Sequence, residues 1–165
     1  MGSLHITVVQ GSILEAEAQA IVNAANSLGV MGGGVAGVIR RAAGVEVEQE
    51  AVAQAPIAVG NAVLTAGGKT KFQGIIHAPT MERPAMRIPA VNVALATRAA
   101  LTLADERGFT SLAIPGMGTG VGGVAHAQAA AVMVQAIRAF KPRSLQSVIL
   151  VDVDAAMVQA WEKSL

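Results

Sequence analysis

Apolar and polar positions alternate in LHITVV, with Leu4, Ile6 and Val8 on one side and His5 and Thr7 on the other. The pattern predicts an opening strand interrupted at Gly11 and Ser12. A second strand is expected over 19–22, where AIV runs into the turn-prone NAAN. VAGVIRRAAG then predicts a helix over 35–43, with Gly44 suited to its C-terminal end. VEVEQEAVAQ, 45–54, reads as another helix with a wet face at Glu46, Glu48 and Glu50, although its β-branched start alternates like a strand. Strands are expected at 61–65 and 74–77, on either side of the turn at Gly67 and Gly68. PTMERPAMRIP is a connection punctuated by prolines, followed by a helix over 90–105 that Gly108 stops. SLAIP is a strand entering PGMGTGVGG, and a helix over 124–140 follows. SVILV, 147–151, is the last strand and continues toward Val153, and Asp154 suits the cap of a closing helix, AAMVQAWEKSL.

Strands alternating with helices imply a sheet covered on both faces, an α/β/α sandwich, and 165 residues suit one core, so 1–165 is expected to be a single domain. Such sheets bind ligands beyond the carboxyl ends of their strands, and both glycine-rich loops follow a strand.

Composition narrows the chemistry. The chain has no cysteine, which excludes disulfides and a thiolate nucleophile. No run is apolar enough to span a membrane and no leader is evident, so a soluble, cytoplasmic protein with no membrane partner is expected. Lysine and arginine total 12 against 11 acids, and the aromatics are Phe72, Phe109, Phe140 and Trp161 alone. Nucleic acid is therefore not an expected partner, whereas small anionic ligands are compatible. His5, His77 and His126 are too scattered for a metal site, and none is expected. Met81, Met86, Met117, Met133 and Met157 suit packing.

Two loops carry the distinctive signal. Three successive glycines, Gly32 to Gly34, are more than a turn ordinarily needs; they permit close approach of a ligand to backbone N–H groups at a helix start. PGMGTGVGG repeats the arrangement, with Thr119 adding a hydroxyl and the 124–140 helix adding N–H donors, which suits a phosphate or diphosphate. The loop lacks the lysine and hydroxyl residue of a Walker motif. Asn23 and Asn26 either cap backbone groups or hold a sugar hydroxyl without charge. His77, expected at a strand end, is read as a structural hydrogen-bonding group or a crevice residue. Asp152 and Asp154 are an acid–base pair only if they share a face, and capping by Asp154 is the simpler reading.

VVQGSI, IVNAAN, GGGVAGVIRRAAG, GIIHAPT and IPGMGTGVGG, in that order, resemble the macro domain family of ADP-ribose-binding modules over nearly the entire chain. The resemblance implies a mixed central sheet with an ADP-ribose cleft at its top and no cofactor. Gly32, Gly33, Gly34 and Val35 would surround the distal ribose and one phosphate. Gly116, Met117, Gly118, Thr119, Gly120, Val121 and Gly122 would cradle the diphosphate. Asn26 matches the asparagine that holds the distal ribose, Asn23 would brace the loop, and the Ile13 N–H would border the adenine. Ser12 stands in place of an aspartate that accepts from the adenine amino group, Val153 near the place of a stacking aromatic, and Ala36 in place of an aspartate found in one hydrolase class. The resemblance implies ADP-ribose or a derivative, including an ADP-ribosylated protein, as partner. It also leaves open hydrolysis of O-acetyl-ADP-ribose, of ADP-ribosylated carboxylates or of ADP-ribose 1''-phosphate, with Asn26 as the catalytic residue orienting the ribose or a water.

Overall fold

The computed structural model describes residues 3–165. Its strands are β1 (His5–Gln10), β2 (Ala20–Asn26), β3 (Val63–Thr65), β4 (Gly74–Met81), β5 (Ser111–Ile114) and β6 (Ser147–Asp152). Its helices are α1 (Gly34–Ala43), α2 (Val45–Ala53), α3 (Ala90–Glu106), α4 (His126–Ala139) and α5 (Ala155–Ser164). The strands form one sheet in the order β1-β6-β5-β2-β4-β3, parallel except for β3, which is antiparallel to β4. This is the expected three-layer α/β/α sandwich with a mixed sheet.

Alternation along the strands divides the core in two. Val22, Ile76, Leu112, Ile114, Val148 and Leu150 face α3, α4 and α5, where Leu101, Met133, Ile137 and Trp161 meet them. Ile21, Ile75, Ala113 and Val151 face the other way, onto Ile39, Ala43 and Val47 of α1 and α2. The alanine richness has its use here: Ala96, Ala100, Ala129 and Ala130 are fully buried, and their small side chains let α3 and α4 pack closely. Among the described residues no helix is long and apolar enough to cross a membrane.

The segment 45–54 settles as helix. Two strands run further than expected. NAAN does not turn but completes β2, because β4 pairs with β2 from Ala20 to Asn26; a strand partner overrides local turn preference. Likewise β4 continues through Pro79, which lies past the Ile75–His77 stretch paired with β3, where a missing N–H breaks no β3–β4 bond. His77 is thus mid-strand and fully buried, not at a strand end.

His77 centres a polar ladder across three strands. Its Nε2 lies 2.9 Å from Thr65 Oγ1, and its Nδ1 lies 3.1 Å from Asn23 Nδ2. Thr65 spends its one proton on the Ala66 carbonyl oxygen, so it accepts from Nε2–H, leaving Nδ1 to accept from the Asn23 amide. The chain of donors suits a neutral imidazole, and burial lowers the His77 pKa from 6.5 to about 4. Unfolding frees the ring to take up a proton, so between these values the unfolded chain binds more protons. Stability present above pH 6.5 should be lost as pH falls toward about 4, by up to about 3 kcal/mol. Ring chemical shifts followed by NMR should show His77 neutral at pH 5.5; titration near the free value would contradict this account.

Candidate functional site

The strand ends leave a cavity of about 590 Å³ above β2, β4 and β5. Ala24, Ala25 and Thr80 form its floor; residues 32–36 make one wall and 118–122 another, with Met81, Pro84 and Ala85 closing the third. Two other concavities, of about 410 and 560 Å³, lie along α3 and α4 away from the strand ends.

The first loop is held by groups that flank it. Asn26, at the end of β2, donates from Nδ2 to the Val30 carbonyl oxygen at 3.0 Å and accepts the Leu28 N–H on Oδ1 at 3.0 Å. Glu48 of α2 accepts the Met31 N–H on Oε2 and pairs with Arg40 Nε through Oε1 at 2.9 Å. Gly29 has φ +77 and lies so close to α2 that a Cβ would come within 2.8 Å of the Ala51 backbone. Gly33 caps α1 without a side chain, so the first-turn N–H groups are left to whatever occupies the cavity they line.

The second loop is anchored at both ends. Asp152, ending β6, accepts the Gly116 N–H on Oδ2 at 3.0 Å, and the Gly122 carbonyl oxygen accepts the Ile88 N–H at 2.9 Å. Within the loops the glycines serve different ends. At Gly118, φ +78, a Cβ would meet Val93 at 2.6 Å, and at Gly122 it would meet the Gly118 oxygen at 2.7 Å. At Gly32, Gly33 and Gly120 a Cβ would meet nothing within 4 Å, and none of the three has a positive φ. The protein's own packing and backbone explain the first pair and leave the other three unexplained.

No residue lining the cavity carries an ionisable side chain. Its polar groups are backbone N–H and C=O, the Asn26 amide and the hydroxyls of Thr80 and Thr119. The described residues also hold no cluster of metal-ligating side chains.

Residues 22–133 match the Macro domain, well over half of the sequence. The chain belongs to the macro domain family. An uncharacterised protein of Aquifex aeolicus is 61% identical over 162 residues, covering 98% of both chains. The Trypanosoma brucei macrodomain in complex with ADP-ribose superposes with a TM-score of 0.86 at 26% identity, over 96% of this chain and 68% of that one. The Oceanobacillus iheyensis macrodomain with ADP gives 0.83 at 26%, over 95% and 87%.

In this macro domain Asn26, Gly32, Gly33, Gly34, Val35, Gly116, Gly118, Thr119, Gly120, Val121 and Gly122 come together around the cavity. Asn23 does not brace the loop: it is buried beneath it against His77, and Asn26 does the bracing. Met117 is fully buried, its side chain in the core behind the second loop. Ser12, Ile13 and Val153 lie outside the cavity lining, at the adjacent ends of β1 and β6. Ser12 Oγ accepts the Leu14 N–H, capping a 3-10 turn at Ile13–Glu15; Ile13 is buried and Val153 is 71% exposed. The α4 N-terminus does not serve the cavity, because the helix begins at His126 rather than at 124. His126 instead meets Asp154 at 2.8 Å, a hydrogen bond that holds the Asp154 carboxyl below its usual pKa, while Asp154 caps α5. Asp152 and Asp154 are therefore separately engaged and form no acid–base pair. Thr80, Met81, Pro84 and Ala85 line the cavity without a sequence signal, since their placement depends on how β4 ends. Ala36 also lines it, as an apolar contact.

Substitution should separate the two classes of glycine. Gly118→Ala and Gly122→Ala should each cost roughly 1–3 kcal/mol in urea denaturation, from overpacking. Gly33→Ala and Gly120→Ala should remain within about 0.5 kcal/mol of the parent. Equal destabilisation at Gly120 and Gly118 would refute the division.

Proposed function

We propose that this macro domain binds ADP-ribose, or the ADP-ribosyl group of a modified protein, along the carboxyl ends of its strands. The order of chemistry along the sheet carries the reading. At β1 and β6 stand Ser12, the Ile13 backbone and the exposed Val153, a partly apolar edge suited to a base. Over β5 and β2 come the two glycine loops, dense in N–H donors and suited to a diphosphate. At the ends of β2 and β4 stand neutral hydrogen-bonding side chains, suited to a sugar. An adenine nucleotide extended by a second ribose presents these groups in the same sequence. The trypanosomal relative in complex with ADP-ribose supports the assignment.

In this reading Gly32, Gly33 and Gly120 are bare because the ligand occupies the space a Cβ would take. The unused N–H and second lone pair of the Asn26 amide serve the distal ribose while its other groups keep the loop in shape. The lack of an ionisable side chain favours binding over acid–base hydrolysis, and ester cleavage here would depend on a water or substrate group oriented by Asn26.

Calorimetric titration should show saturable binding of ADP-ribose and weaker binding of ADP. Gly33→Val and Gly120→Val should weaken ADP-ribose binding by about tenfold or more, as expected for overpacking, without lowering thermal stability. A parent protein that takes up ADP-ribose no better than ribose 5-phosphate would end the proposal. Release of free ADP-ribose from O-acetyl-ADP-ribose at a protein-dependent rate would shift the reading to hydrolase.

A further inference from the structure

The pairing of β2 with β4 slips by one residue at the cavity. Ala25 lies opposite Pro79 and Asn26 opposite Met81, which leaves Thr80 with no partner residue on β2. Bulges of this kind re-aim a side chain and are over-represented beside binding sites. The carbonyl oxygen of Thr80 is held from outside, by Asn92 Nδ2 in the first turn of α3 at 2.9 Å. Thr80 is 2% exposed and lines the cavity floor. Among the described residues no protein group bonds its hydroxyl, and that oxygen is not sealed from solvent. A hydroxyl without a protein partner, on a nearly buried residue that lines the cavity, is a hydrogen-bonding position available to a ligand.

Resting on the ADP-ribose reading, we infer that Thr80 reads a hydroxyl of the distal ribose and so distinguishes ADP-ribose from ADP. A neutral group that both donates and accepts, as a sugar hydroxyl does, matches a threonine hydroxyl, which can do either. Anionic groups have better positions at the N–H-rich walls, 32–36 and 118–122. Thr80 belongs to β4, on the side of β2 away from β5, so it lies beyond Asn26 from the second glycine loop. The bulge is the device that brings it there: with regular pairing, Thr80 rather than Met81 would stand opposite Asn26.

Thr80→Val keeps the shape and removes the hydroxyl, while Thr80→Ser keeps the hydroxyl and removes a methyl. In calorimetry, Thr80→Val should weaken ADP-ribose binding about five- to tenfold, the effect of one hydrogen bond. ADP binding should not change, and Thr80→Ser should remain close to the parent for both ligands. Unchanged ADP-ribose affinity in Thr80→Val overturns the assignment while leaving the ADP-ribose reading intact. Equal loss of both ligands, or loss that serine does not restore, assigns Thr80 a structural role and also overturns it. A parent protein that does not bind ADP-ribose removes both proposals together.

Discussion

A surface built from glycine backbone has no side chains with which to hold its own shape. Here the restraint comes from outside: Glu48 grips Met31, Asp152 grips Gly116, and Ile88 donates to Gly122. Each is a hydrogen bond to main chain from an element that leaves the cavity free, and two of the acceptors are carboxylates, which make the stronger bonds. The rigidity of the walls thus resides in α2, β6 and the segment before α3, while the walls remain bare enough for close approach. This separation of support from contact lets a cavity without ionisable side chains suit a charged ligand, through fixed N–H dipoles rather than mobile cations.

The polar ladder beneath the site belongs to the same economy of charge. Asn23, His77 and Thr65 satisfy one another across three strands, so the sheet carries polar groups directly under the first loop without importing a charge. Asn23 Oδ1 alone lacks a partner there. Keeping the imidazole neutral keeps the floor of the site neutral as well.

Much of the architecture was legible because it rests on period and punctuation. Every α-helix and strand was anticipated in type, though not the short 3-10 turn at Ile13–Glu15, and both glycine loops were found from composition at strand-to-helix junctions. The errors in strand extent share one cause, the partners that neighbouring strands supply. NAAN reads as a turn in isolation and becomes strand when β4 flanks it; Pro79 reads as a breaker and is harmless where no third strand follows. The bracing expected of Asn23 falls to Asn26, because their spacing cannot say which one points at His77 and which ends the strand. Thr80 was out of reach altogether, since a one-residue slip between strands leaves no mark in the pattern of either. Among the glycines, sequence could count them but not tell those that relieve a clash from those that leave open space.

The position of β6 has a consequence for the time course of assembly. It lies between β1 and β5, yet it is the last of these six strands to leave the ribosome, and among the described residues β1 pairs with no other strand. Until residues 147–152 arrive, the first strand waits without its neighbour and Gly116 without the carboxylate that holds it. Closing so long a loop is the slow kind of contact. The nascent chain therefore carries both glycine loops well before Asp152 can hold the second of them, and the site matures only once β6 has been made.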